Sequence, residues 1–151
     1  MLILGGGFFG DQLKDNDYIA HIKQLALPIK ERIVFSGFVD YAKVPSYLNI
    51  ADVAVIPSMW DDPFPTTVLE AMAMGLPVLA TVSGGIPEEV DADCSILLPR
   101  DASLVERLAG SILQLSRDEA LCRRMGEAAL RRSKQFPLSD YAKHFLGELN
   151  V

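Results

Sequence analysis

Cysteine is scarce in this chain, and the two present, Cys94 and Cys122, show no metal-ligand spacing. Cys94 opens the apolar run Ser95-Ile96-Leu97-Leu98 and Cys122 sits in a helical segment, so both read as reduced packing residues. No apolar run approaches the ~18 residues of a membrane span. The start has no charged n-region or cleavage site, so a signal peptide is not expected either. Positive charge is outnumbered, with 14 Lys and Arg against 20 Asp and Glu, a net charge of −6. That argues against broad electrostatic binding to nucleic acid or to an anionic membrane. The basic cluster Arg123, Arg124, Arg131, Arg132 and Lys134 reads as a solvated helix face. Partners must be recognised in local pockets, and a cytoplasmic location is the expectation.

Half of the residues are hydrophobic, enough for a core, and 151 residues predict one domain, 1–151, with no linker or repeat. Strand-like and helix-like segments alternate. Strands are predicted at Leu2–Leu4, Arg32–Gly37, Asp52–Ile56, Pro77–Thr81 and Ser95–Leu98. Helices are predicted at Tyr18–Ala26, at Tyr41–Ile50 (starting nearer Lys43, since Pro45 suits a first turn), and around Val68–Met74. The region from about 101 to 149 is read as helical and part of the same domain: Leu104, Leu108, Ile112 and Leu115 recur at steps of four, four and three, then Leu121–Ala129, then Tyr141 and Phe145. Alternating units of this length predict an α/β fold, a Rossmann-like parallel sheet flanked by helices.

The stretch from Pro57 to Glu89 carries the chemistry. Asp52–Ile56 is apolar after its first residue and ends at Pro57, as a short buried strand does. Pro63 and Pro65 keep the next loop extended. Thr66, or failing it Thr67, is the expected N-cap of a helix that Gly75 stops. A helix start just past the carboxyl end of a strand exposes unpaired N–H groups and a positive dipole end, which suits a phosphate. Glu70 lies about one turn in, eight residues after Asp62. Leu69, Ala71, Met72 and Ala73 make this helix largely apolar, and a lone ionised Glu among them is costly without a partner. Two vicinal ribose hydroxyls are natural partners for one carboxylate, with charged hydrogen bonds of roughly 1.5–3 kcal/mol each.

Taken together, the Pro57-Ser58 loop, Asp62 and Glu70 eight apart, Ala71-Met72-Ala73 with Gly75-Leu76-Pro77-Val78, and Gly84-Gly85 with Pro87-Glu88 resemble a known signature. It is the donor-binding signature of retaining glycosyltransferases of family 4, which have the GT-B fold. The resemblance covers almost the whole chain, as the nucleotide-sugar-binding C-terminal half of such an enzyme lacking its first βα unit. It implies transfer of a sugar from a nucleotide diphosphate donor to a glycan or lipid-linked acceptor, with retained configuration and with no metal or other cofactor. By position, Glu70 would hold the ribose hydroxyls, while Thr66 and Thr67 would offer backbone amides to the diphosphate. Asp62 would contact the transferred sugar, and Phe64 would line its pocket. Phe38 and Val39 would pass the base edge, Ser58 would close the loop behind the site, and Gly84 and Gly85 would permit a close turn beside it.

Two departures stand out. Asp62 is a methylene shorter than the family's usual Glu, with Asp61 beside it, and Pro65 replaces the usual Gly and removes an N–H. The sugar pocket is therefore expected to favour a different hexose or deoxyhexose. The resemblance also implies that an acceptor-binding N-terminal domain, and a strand and helix carrying an Arg and a Lys, are missing, so the chain alone is expected to be inactive. The absent strand is central in the doubly wound order, and its loss would leave two interior strand edges unpaired. Three alternatives stay open: a non-catalytic nucleotide-sugar-binding module, a related GT-B epimerase or phosphorylase, and an NAD-dependent oxidoreductase domain. The last is suggested by Gly5-Gly6-Gly7-Phe8-Phe9-Gly10, which satisfies G-x-G-x-x-G. Against it, Asp11–Asp17 is too polar for the apolar helix that should follow, and the strand ending at Ser36-Gly37 lacks an acidic residue.

Overall fold

The computed structural model describes residues 1–5 and 17–137. Most of the G-x-G-x-x-G segment, and the helix expected around Tyr141 and Phe145, lie outside them. The chain divides into two compact units, Met1–Ser46 and Tyr47 onward.

In the first unit, β1 (Leu2–Ile3) and β2 (Val34–Phe35) pair in parallel, Leu2 opposite Val34 and Ile3 opposite Phe35. Between them α1 (Asp17–Ala26) runs into a 3-10 segment, Leu27–Arg32, in which Pro28 sits at the start where its missing N–H is harmless. The Lys23 ammonium lies 5.9 Å from the centre of the Phe35 ring. After β2 the chain turns at Gly37, whose φ of 66° suits glycine, and the Ser36 hydroxyl donates to the Gly37 carbonyl at 2.8 Å. Asp40 then accepts from the Ala42 amide at 2.9 Å and opens the 3-10 turn Tyr41–Lys43, followed by α2 (Val44–Leu48). Phe38, exposed, and Val39, half-buried, lie just beyond the Gly37 turn.

The second unit is built on a parallel three-stranded sheet in the order β3 (Ala54–Ile56), β4 (Val78–Thr81), β5 (Ser95–Leu98). Every residue of β4 is buried, as a central parallel strand covered on both faces requires. The parallel pairs are joined by α3 (Thr66–Ala73) and by the single turn α4 (Ile86–Glu89). Then α5 (Leu104–Arg117) and α6 (Glu119–Ser133) complete the unit, the Asp118 carboxylate capping α6 at the Leu121 amide, 2.8 Å away.

The core joins Val68, Ala71 and Met72 of α3 to Val78 and Ala80 of β4, Ile86 and Val90 around α4, Cys94, and Ala128 and Ala129 of α6. Val68, Met72 and Val78 among these are wholly buried, and burying a large apolar side chain contributes roughly 1.5–3 kcal/mol. The stop at Gly75 is as predicted. Its φ is 72°, its N–H reaches the Met72 carbonyl at 2.9 Å, and the Leu76 N–H reaches the Ala71 carbonyl at 3.1 Å. That pair of bonds is a Schellman motif. Gly126 of α6 lies over this stop, where a Cβ would collide with the Gly75 carbonyl, so the helices meet at two glycines.

The reading of the basic cluster needs one correction. Arg132 is not a solvated residue: its Nε donates to the Glu89 carbonyl at 2.9 Å and an Nη to the Glu88 carbonyl at 2.8 Å. The guanidinium also lies 5.6 Å from the centre of the Phe136 ring. It serves the carbonyl end of α4, where a cation is favoured. The two cysteines are unpaired, and burial pushes both thiols up from their ordinary range.

Candidate donor site at the carboxyl edge of the sheet

The parallel order of β3, β4 and β5 brings three loops to one edge: residues 57–65 after β3, 82–85 after β4 and 99–103 after β5. The first loop is laced to the second by hydrogen bonds. The Thr81 hydroxyl donates to the Ser58 carbonyl at 2.6 Å, and the Ser83 hydroxyl to the Trp60 carbonyl at 2.5 Å. The Ser58 hydroxyl accepts from the Trp60 amide at 3.2 Å and closes the turn from within. The Gly84 N–H donates to Asp61 Oδ1 at 3.1 Å and the Gly85 N–H to the Asp62 carbonyl at 2.8 Å.

This approach explains the two glycines. A Cβ at Gly84 would overlap the Asp62 carbonyl, and one at Gly85 would overlap the Pro63 carbonyl; Gly84 also has φ of 48°. Ser58, Asp62, Phe64, Gly84 and Gly85 are thus brought together.

The two adjacent carboxylates separate by their partners. Asp61 is spent on the Gly84 amide and on Arg100, whose Nη2 lies 2.6 Å away. Asp62 is half-buried, with Oδ1 accepting from the Phe64 amide at 2.9 Å, and Oδ2 has no protein partner among the described residues. The Phe64 ring leans on Phe136, with centroids 6.0 Å apart and planes at 60°, so one side of it is structural and the rest is exposed.

At the start of α3 the expected cap is corrected. Pro65, not Thr66 or Thr67, occupies the N-cap position, and no side chain caps the helix. Proline precedes the first turn because its fixed φ suits that position while its ring excludes a capping side chain. Val68 N–H turns back to the Pro65 carbonyl at 2.9 Å. That leaves the amides of Thr66 and Thr67, both exposed residues, without a partner among the described residues. Glu70 stands one turn further on, half-buried, and its carboxylate has no hydrogen bond or ion pair there either. Two clefts of about 530 and 360 Å³ lie elsewhere in this unit, one lined by Ile96, Arg124 and Arg131, the other by Asp52, Cys122 and Arg123; neither includes these loops. Phe38 and Val39 belong to the first unit.

Two residues of this edge were not expected from the sequence. Arg100 meets the loop across 39 residues of chain, a juxtaposition with no local signature. Glu89 is wholly buried with neither carboxylate oxygen hydrogen-bonded, and its pKa is raised to about 7, first by burial, then by Asp62 and Glu88. No local pattern marks it, since α4 is a single turn and Val90 beyond it is extended.

Unpartnered amides and a half-buried, unpaired carboxylate here lie at the carboxyl edge of a parallel sheet, where open α/β folds bind ligands. The family model "Glycosyl transferases group 1" matches residues 2–132, and the chain belongs to that family. Among similar proteins is YtcC, a provisionally named glycosyltransferase of Bacillus subtilis (strain 168), 31% identical over 129 residues, covering 85% of this chain and 31% of YtcC. Spore coat protein SA of the same organism is 28% identical, over 89% of this chain and 35% of its own length. Among solved structures, HepE of Anabaena, crystallised in complex with UDP, superposes with a TM-score of 0.81 at 25% identity, over 99% of this chain and 40% of HepE. The chain therefore spans about a third of the length of the curated relatives it matches, 31% and 35% for these two.

Proposed function

We propose that this chain is the donor-binding part of a retaining, family 4 glycosyltransferase of GT-B architecture. It takes a hexosyl or deoxyhexosyl unit from a nucleoside diphosphate sugar for a glycan or lipid-linked acceptor, in a cytoplasmic setting. The observation that carries this reading is the half-buried, unpartnered Glu70 carboxylate one turn beyond the open Thr66 and Thr67 amides. In this reading the amides and the helix dipole meet the diphosphate, and Glu70 accepts hydrogen bonds from the ribose hydroxyls. Asp62 faces the sugar through its free oxygen, Phe64 and Ser58 shape the pocket, and Gly84 and Gly85 give it a floor of close-packed backbone. UDP bound to the similar HepE supports the ligand class.

The chemistry assigned to these residues is electrostatic. Fixed amides at the diphosphate stabilise negative charge as it moves onto the leaving phosphate, and no metal is required for that. The acceptor, and the basic side chains that complete diphosphate neutralisation, are assigned to an N-terminal part outside this chain. Residues 1–151 alone should bind nucleotide weakly and transfer no sugar. Thermal unfolding in UDP, GDP, ADP and NAD, with and without EDTA, tests the reading. One nucleoside diphosphate should raise Tm in proportion to ln(1 + [L]/Kd), unchanged by EDTA. Stabilisation by NAD alone, or efficient transfer by the chain alone, would contradict it.

A further inference from the structure

Arg100 projects from the loop after β5 and joins two points of the loop after β3. One Nη donates to the Met59 carbonyl at 3.1 Å, the other lies 2.6 Å from Asp61 Oδ1. The same Asp61 oxygen receives the Gly84 N–H at 3.1 Å, so a single carboxylate ties all three loops together.

Arg100 is itself held. Its neighbour Asp101 accepts from the Ser103 amide at 2.9 Å and pairs with Arg107 of α5, which also donates to the Pro99 carbonyl at 3.3 Å. The Ser103 amide, then Arg107, keeps the Asp101 carboxyl below the usual carboxylate range, so this support persists at mildly acid pH. A continuous chain of contacts runs from α5 through the Pro99–Ser103 turn to the residues next to Asp62.

We propose that Arg100, acting through Asp61, is a positioning residue that fixes the Met59–Asp62 segment and thereby sets the preference for nucleotide sugar over bare nucleotide. The inference rests on the donor-site reading above. Surface ion pairs contribute little to stability, so the role of this one is geometric. Arginine is needed because its planar fork serves two different acceptors at fixed angles, which a lysine ammonium reproduces poorly. Loss of the clamp frees Asp62 to wander from the sugar, while Glu70 and the α3 amides, which hold the nucleotide, stay in place.

The chain's only tryptophan, Trp60, lies inside the clamped segment and is largely exposed, so its fluorescence reports the segment without any ligand. Arg100→Ala, Arg100→Lys and Asp61→Asn are compared with the native chain by Trp60 anisotropy and acrylamide quenching, each at low salt and in 1 M NaCl. Titrations with UDP and UDP-glucose, or GDP and GDP-mannose if GDP is the selected nucleotide, follow. Arg100→Ala should lower the anisotropy and abolish its salt response, with Arg100→Lys between it and the native chain. It should cut affinity for the nucleotide sugar severalfold while leaving the bare nucleotide within twofold. Unchanged Trp60 anisotropy in Arg100→Ala, or equal losses for both ligands, would overturn the proposal. Failure of the native chain to bind either ligand would instead overturn the donor reading, and the Trp60 signal would still decide whether the clamp exists.

Discussion

Replacing Glu89 with Gln should raise the stability of the chain at neutral pH and leave it nearly unchanged at pH 4.5. Glu89 is buried in the turn between Gly85 and Val90, with no hydrogen bond to either oxygen. The groups around it do not relieve the charge. Asp62 and Glu88 repel it, and Arg132 donates to the Glu88 and Glu89 carbonyls rather than to the carboxylate. The native carboxyl therefore keeps its proton to about 7, whereas an ordinary glutamate releases it near 4.5.

The sign follows from proton counting. Below about pH 4.5 both states are protonated and the group is neutral to stability. Between 4.5 and about 7 the unfolded chain has released the proton and the folded chain has not, so native stability falls as pH rises. The fall approaches 1.4 kcal/mol per pH unit, on the order of 3 kcal/mol across the window. Glu89→Gln removes that slope. Its Tm advantage should grow through the window to about 6–12 °C and then level off. Thermal unfolding of both proteins from pH 4 to 8 measures this. A Tm difference independent of pH would show that Glu89 is not a buried acid, and Asp62→Asn should move the onset of ionisation to lower pH.

The second large effect is on binding. Glu70→Ala should weaken nucleoside diphosphate binding by about 10- to 150-fold, the range set by losing one charged hydrogen bond of roughly 1.5–3 kcal/mol. The folded chain should tolerate it well, because the side chain is half-buried and makes no protein contact by hydrogen bond or ion pair among the described residues. Isothermal titration with the nucleotide selected by the thermal panel gives the ratio, and the Tm of the unliganded variant checks the fold. Glu70→Gln should retain part of the affinity, since an amide oxygen still accepts one ribose hydroxyl. A variant that binds as tightly as the native chain would remove Glu70 from the site.

Much of this edge could be read in the residues before any coordinates. The β5 bounds, Ser95–Leu98, and the helix stop at Gly75 match the expectation because apolar runs and a left-handed glycine are local signals. The helix start was missed by one step because threonine is the better cap in isolation, whereas Pro65 holds the position once the loop is fixed on both sides. The α4 turn was not foreseen, since four residues carry too little periodicity to be seen. Arg132 differs from the expectation because it donates to the Glu88 and Glu89 carbonyls, 44 and 43 residues away, and lies 3.7 Å from Asp91 Oδ2, and contacts so distant in the chain leave no trace in a local pattern of charges. Arg100 was invisible for the same reason of distance. The pairing of Asp61 and Asp62 with different partners depends on the close approach of two loops, which Gly84 and Gly85 allow but do not announce.

The most direct measurement is a titration of the isotopically labelled chain with UDP, or with whichever nucleotide the panel selects, followed by amide chemical shifts. The largest changes should fall on Thr66, Thr67, Glu70, Gly84 and Gly85, with smaller ones on Asp62 and Phe64. Changes gathered instead around Arg124 and Arg131, with the α3 amides silent, would contradict the placement of the donor site.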